Sequence, residues 1–336
     1  MKKSSRSKYS GYILLNKKPG IASFDSLGRI KRALETGKVG HAGTLDSFAQ
    51  GLLIVLVGRA TRLASWFSDS VKSYRGTILF GEETATLDGE GEVIARAEPP
   101  SRQALEKALP DFSGDILQAP PAYSALHIKG ERAYALARRG VEPVMEKRPV
   151  TVYELTLDAY ESPLGEITVR CSKGTYIRSL ARDLALAAGS RGRLVSLTRT
   201  AIGGFSLDDA LCFDGDDDEI RAALKPIDKA SLARLGLPVF ELDEKAALAM
   251  LHGRPLDPLS LIPCGAADAE DTGLVPGPLG VFSAGRGFLG ILEYQDGVLR
   301  SRCVYAQDET ASRPVEMSGP QSRFQTVSPE ERRANI

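Results

Sequence analysis

The sequence predicts an α+β fold: a mixed, largely antiparallel sheet flanked by helices, followed by a small β-rich C-terminal domain. Three observations point there. Strand-like and helix-like segments are interspersed through the first two thirds of the chain without regular βαβ alternation, which argues against a doubly wound parallel sheet. From Pro238 onward the texture turns to short apolar runs among Gly and Pro, the pattern of a small β-rich unit. At 336 residues, with 43% hydrophobic and 26% charged content, the chain suits two domains of ordinary globular composition, one clearly larger.

In chain order, a polar start leads into a strand at residues 12–15, ended by the turn Asn16-Lys17-Lys18-Pro19-Gly20. Phe24, Leu27, Ile30 and Leu34 recur at helical spacing, with Ser23 placed to cap the start and Gly37 to stop the end. A Gly-rich loop over residues 39–50 opens into residues 52–57, whose unbroken apolar run reads as a strand buried on both faces. A short helix through Leu63 and Trp66 follows, then a strand at 74–80 and a polar loop with Thr84, Thr86, Asp88 and Gly89. Residues 101–109 and 132–138 read as helices, with Pro120-Pro121 forcing an extended connection between them.

Residues 150–157 and 166–172 form a strand pair, the second alternating Ile167, Val169 and Cys171 with Thr168, Arg170 and Ser172. Lys173-Gly174-Thr175 turns the chain into a helix that carries Ile177, Leu180, Leu184 and Ala188 inward and Arg178 and Arg182 on another face. Acidic residues cluster over 208–219, and the acidic segment after Leu211 reads as a boundary, with helical material to about Leu235. Gln295-Asp296-Gly297 between two apolar runs is a hairpin signal. Gly285-x-Gly287-x-x-Gly290 matches a dinucleotide fingerprint but runs into that hairpin rather than a helix, so these are hairpin glycines. The expected division is a flexible basic start at 1–10, a large domain at 11–236, the small β domain at 237–310 and a disordered tail at 311–336.

Several function classes drop out. The apolar runs reach about six residues against roughly 18 for a spanning helix, and no signal-peptide pattern opens the chain, so a soluble cytoplasmic protein is expected. Four scattered cysteines without a CxxC pair read as reduced, mostly buried thiols, and three distant histidines leave little for a metal site or a Ser/His/Asp triad. Net charge is zero, yet residues 1–40 hold ten Lys/Arg against Asp25 and Glu35, and residues 170–199 hold seven against Asp183 alone. Such separation suits a polyanion-binding face or, equally, solvated helix faces.

The segment Gly40-His41-Ala42-Gly43-Thr44-Leu45-Asp46-Ser47-Phe48-Ala49-Gln50-Gly51 places one acid and one histidine in a glycine-rich loop fed into a buried strand. A loop on a rigid scaffold is where catalytic groups are commonly presented, although Asp46 by itself reads more readily as a turn or capping residue. This segment resembles the signature of the bacterial tRNA pseudouridine synthases that modify uridine 55 in the TΨC loop, the TruB family. Leu14-Leu15-Asn16-Lys17-Lys18-Pro19-Gly20, Lys72-Ser73-Tyr74-Arg75-Gly76, Pro121-Ala122-Tyr123-Ser124-Ala125-Leu126, Arg148-Pro149-Val150-Thr151-Val152-Tyr153-Glu154 and Cys171-Ser172-Lys173-Gly174-Thr175-Tyr176-Ile177-Arg178 resemble further family blocks in family order. Ser47 departs from the family's usual proline, and Gln50 from its small residue.

The resemblance implies the pseudouridine synthase fold with a small C-terminal β-barrel (PUA-like) domain, no cofactor, no metal, and tRNA recognised through its T-arm by a monomer without an obligatory protein partner. It implies Asp46 as the catalytic aspartate, Tyr74 as the aromatic residue against the uracil and Arg178 as the partner of the aspartate. Tyr176 and Leu197 would line the uracil pocket, His41 would meet the RNA where the base leaves its stack, Lys18 would touch the backbone, and Gly43 and Thr44 would be further substrate-binding residues. Asp88 resembles a structural family acid. The implied reaction breaks the N1–C1′ bond, turns the uracil and rejoins it through C5. An aspartate could serve as nucleophile at C1′ or as base at C2′, and either route needs its charge. The alternatives are a catalytically inactive tRNA-binding or tRNA-folding protein and an enzyme directed by a guide RNA.

Overall fold

The computed structural model describes residues 8–124, 126–128, 130–141, 144–264 and 274–305. The first seven residues and the tail expected at 311–336 lie outside them. The chain opens with β1 (Gly11–Lys17), α1 (Leu27–Ala33), β2 (Val39–Ala42), β3 (Gln50–Val57), α2 (Ala64–Asp69), β4 (Lys72–Phe80), β5 (Glu82–Thr84) and β6 (Val93–Arg96). It continues through α3 (Arg102–Ala108), β7 (Gly114–Gln118), β8 (His127–Ile128), β9 (Glu131–Arg132), α4 (Ala133–Arg138), β10 (Arg148–Glu161), β11 (Leu164–Cys171), α5 (Ile177–Ala187) and β12 (Gly192–Ile202). Then come β13 (Phe205–Ser206), β14 (Leu211–Cys212), α6 (Asp217–Ala222), α7 (Lys229–Arg234), β15 (Val239–Glu241), α8 (Glu244–Leu251), β16 (Ile262–Pro263), β17 (Gly277–Ser283), β18 (Gly287–Gln295) and β19 (Val298–Val304).

Ten strands form the main sheet in the order β14-β1-β3-β12-β4-β11-β10-β7, with β13 beside β12 and β2 beside β3. Only β1 with β14 and β3 with β12 run parallel, so the sheet is mixed and largely antiparallel. The apolar run of β3 explains its place inside the sheet. Leu53, Val55 and Val57 pack with Ile13, Leu15 and α1 on one face, and Leu52, Ile54 and Leu56 pack with Tyr12, Phe67 and Phe205 on the other. Helix α5 lays Ile177, Leu180 and Leu184 against Ile78, Val169 and Leu194.

The second sheet runs β16-β15-β17-β18-β19 and is open, which corrects the expected barrel. Its β16 and β15 span two and three residues, and β15 joins β17 in parallel, so the path ends at a short edge instead of closing on β19. Asp296 (φ 52°) and Gly297 (φ 76°) make the two-residue turn between β18 and β19 that the sequence signalled. Phe282, Phe288, Ile291 and Tyr305 join the apolar cluster of Tyr12, Leu52 and Phe205, so one core crosses the expected boundary near residue 236.

Other expectations change as well. The first four residues of the Gly-rich loop are strand β2, paired antiparallel with β3. The acidic stretch is no linker: Leu211 and Cys212 pair with β1, while Asp216 and Glu219 form a reciprocal capping box on α6. Of the four free thiols only Cys171 is buried, and Cys212 is exposed.

Candidate active site

The loop that carries Asp46 leaves β2 and re-enters the sheet at β3, and buried polar groups hold it from three sides. Ser23, expected as a helix cap, instead accepts from the Leu45 amide at 2.9 Å and donates to the Leu45 carbonyl at 2.8 Å. Lys17 is fully buried, and its Nζ donates to the carbonyls of Ser47 (3.1 Å), Ile21 (2.7 Å) and Lys18 (2.9 Å). Burial pushes its pKa down to about 8. Arg199, 1% exposed, donates to the carbonyls of Leu52 (2.8 Å) and Gly43 (3.1 Å). At Gly51 (φ 105°) a Cβ would stand 2.4 Å from the Arg199 carbonyl, so only glycine lets β3 and β12 approach there.

These anchors aim Asp46 at α5. Arg178 grips its carboxylate at two points, Nε to Oδ2 at 2.9 Å and Nη2 to Oδ1 at 3.0 Å. The same guanidinium donates to the carbonyls of Thr86 (2.8 Å) and Tyr123 (3.1 Å) and lies 3.4 Å from Asp88 Oδ2. All of its polar directions are therefore engaged, which fixes the fork geometry that lysine lacks. Enclosure by protein raises the Asp46 pKa above its ordinary value, the Arg178 guanidinium opposes this, and Asp88 and Glu90 add to the rise. The Asp46 side chain remains 38% exposed, so it faces open space as well as its partner.

That space is two cavities, one on each side of the pair. A cavity of about 310 Å³ is lined by Asp46, Arg178, Tyr74, Tyr176, Ile177, Leu197, Gly43, Thr44, Lys72 and Arg199 among others. A second, of about 570 Å³, shares Asp46, Ser124 and Arg178 and is walled by Thr86, Asp88, Glu90, Glu92, Tyr123 and Tyr134. Tyr74 projects from β4 opposite Arg199 of β12, is 8% exposed, and burial raises its phenol pKa, so it stays protonated. The backbone of Tyr176 is clamped twice by the Gln118 amide, at 2.8 and 3.1 Å, just before α5 begins.

Two of the residues singled out from sequence stand apart. His41 is on β2 opposite Val55, lines neither cavity, and is kept neutral by burial and by Arg199. Lys18 is exposed and ion-paired with Asp214. The second basic stretch is largely spent inside the protein: Arg182 pairs with Asp183, Arg191 with Glu83 and Arg193 with Glu82. Ser47 donates to Glu90 at 2.7 Å and Gln50 to Thr198 at 3.1 Å, so both departures from the family pattern have partners.

Sequence reasoning passed over Lys17, Lys72, Arg199 and Gln118. A signal existed for Lys17, which shares the period-two face of Ile13 and Leu15. Arg199 likewise follows Leu197 on the inner face of β12.

Known proteins resemble this chain in sequence and in fold. The profile described as TruB family pseudouridylate synthase (N terminal domain) matches residues 31–177. A tRNA pseudouridine synthase B of Burkholderia lata is 40% identical over 294 residues, covering 86% of this chain and 88% of its own. One of Caulobacter vibrioides is 37% identical over 254 residues, covering 74% and 81%. Among solved structures, a chain of the archaeal box H/ACA sRNP Nop10-Cbf5 complex superposes with a TM-score of 0.66 at 21% identity, over 92% of this chain and 90% of that one, which supports the fold. With a relative this similar across most of both lengths, and with the aspartate loop, the arginine fork and the aromatic cavity assembled at one end of the sheet, the chain belongs to the TruB family of pseudouridylate synthases.

Proposed function

We propose that this protein isomerises uridine 55 in the TΨC loop of tRNA to pseudouridine, with Asp46 as the catalytic group. The observation that carries the reading is the two-point Asp46–Arg178 pair at the edge of a cavity walled by Tyr74, Tyr176 and Leu197. A flipped uracil needs a flat apolar slot, and stacking on an aromatic ring returns about 1–3 kcal/mol of the few spent on unstacking. Tyr74 and Leu197 supply that slot.

Cleavage of N1–C1′ and re-attachment through C5 conserve atoms and oxidation state, so the reaction calls for no electron acceptor. Asp46 must be ionised, whether it attacks C1′ or removes the C2′ proton. Arg178 works against enclosure to keep it so, and its carbonyl contacts hold the fork still while the base turns. The T-arm backbone would run over the basic residues outside the cavity. An exposed pair such as Lys18–Asp214 is worth little by itself and can yield to a phosphate.

The test is a pseudouridine map of a bare tRNA transcript after incubation with this protein alone. Modification at position 55 supports the reading. An unmodified but bound transcript would identify an inactive binding protein, and modification only with an added guide RNA would contradict the substrate assignment.

A further inference from the structure

Ser124 belongs to the Pro121–Leu126 block, and nothing in the roles above uses its side chain. It is 5% exposed, yet among the described residues its Oγ has no hydrogen-bond partner. Buried hydroxyls are nearly always satisfied, so an orphan one at a cavity marks a contact made to something else. Its backbone is fixed on both sides: the Ser124 carbonyl accepts from the Tyr134 amide at 3.1 Å, and the preceding Tyr123 carbonyl accepts from Arg178 at 3.1 Å. The hydroxyl is therefore held one peptide away from the guanidinium that grips Asp46. It lines both cavities beside the pair. Tyr176 is close enough to feel it, but the two hydroxyls do not meet in hydrogen-bond geometry.

We propose that the Ser124 hydroxyl is a substrate contact that hydrogen-bonds the polar edge of the flipped uracil in the cavity shared with Asp46, Arg178 and Tyr176. The chemistry favours a hydroxyl at this point. Exchanging N1 for C5 at the sugar also exchanges the O2 and O4 carbonyls, so a contact that persists through the turn must serve both. A serine hydroxyl donates and accepts, and its proton rotates to suit. Ser124 would thus follow the base through its rotation, whereas Arg178 and Asp46 are already committed to each other.

The inference rests on the proposed reaction, and the experiment separates the two. Wild type, Ser124→Ala and Ser124→Cys are compared in single-turnover pseudouridine formation on a bare tRNA transcript, in tRNA affinity and in thermal unfolding. Removing an orphan hydroxyl leaves the free protein as stable as before or more so, because no bond is lost on folding. Turnover should fall roughly 5- to 30-fold in the alanine variant with affinity within about twofold, since the contact is one of many to the RNA. Cysteine fills nearly the same volume with a weak donor, so a fall shared by both variants reads the hydrogen bond and not a cavity. Wild-type turnover by Ser124→Ala, or a clear drop in its unfolding temperature, overturns the assignment. An inactive wild type would instead overturn the reaction itself.

Discussion

On one side of the Asp46–Arg178 pair the cavity wall is Tyr74, Leu197, Ile177 and Tyr176, with Lys72 and Arg199 among the lining residues; on the other it is Thr86, Asp88, Glu90, Glu92 and Tyr123. The first offers flat apolar faces, which suit a base, with Lys72 and Arg199 buried behind them and bonded to backbone carbonyls. The second surrounds Asp46 with further carboxylates and repels a polyanion. Burial raises the Asp46 pKa, the charges of Asp88 and Glu90 on the acid wall add to the rise, and Arg178 is the group that opposes them. The difference shows how one carboxylate can face a substrate on one side and be electrostatically tuned from the other.

The comparison breaks first at the shared pair. Arg178→Met leaves Asp46 and buried Asp88 without their cation and four acceptors without a donor, so urea unfolding should report a loss on the order of 3–5 kcal/mol, and pseudouridine formation should collapse. Arg178→Lys keeps charge but not the fork, and its turnover should fall between that variant and wild type. Next comes the contrast between walls. Tyr74→Leu removes the stacking face and should slow turnover roughly 10- to 100-fold, whereas Glu92→Gln on the acid wall should change it less than about twofold. Equal losses in the two would mean that the base does not occupy the aromatic side.

The smallest effect is in pH. Because the Asp46 pKa is raised, turnover should fall on the acid side at a pH above the ordinary carboxylate value of 3.8, as the group takes up its proton. Glu90→Gln removes one of the charges that raise it and should move that limb slightly downward. For stability the sign is opposite: a raised aspartate binds its proton in the fold before it does in the unfolded chain, so its ionised form costs stability at neutral pH, and that cost fades as pH falls through the folded-state value.

What could be read from sequence was local. The doubly buried β3, the Asp296-Gly297 turn, helix α3 and the pairing of β10 with β11 follow from periodicity or turn chemistry within a few residues. The site itself depends on contacts across long separations. Lys17 reaches Ser47 thirty residues on, Ser23 reaches Leu45, and Arg199 reaches back to Leu52; strand period turns Lys17 and Arg199 inward but does not say which residues they meet. The same holds for the second sheet, whose parallel β15–β17 pairing decides between an open sheet and a barrel without a nearby signal. Nor could composition tell that Arg178 is buried against two acids rather than solvated on a helix face.

The central claim is that the charge of Asp46 performs the chemistry while other residues bind the RNA. Asp46→Asn preserves the size of the side chain and one oxygen for Arg178 to grip, while it removes the charge and turns the second acceptor into an amide donor. Single-turnover pseudouridine formation and tRNA affinity should be measured on this variant beside wild type. The account predicts turnover at background with affinity within a few-fold. Turnover near that of wild type would contradict it and return Asp46 to the role of a turn residue.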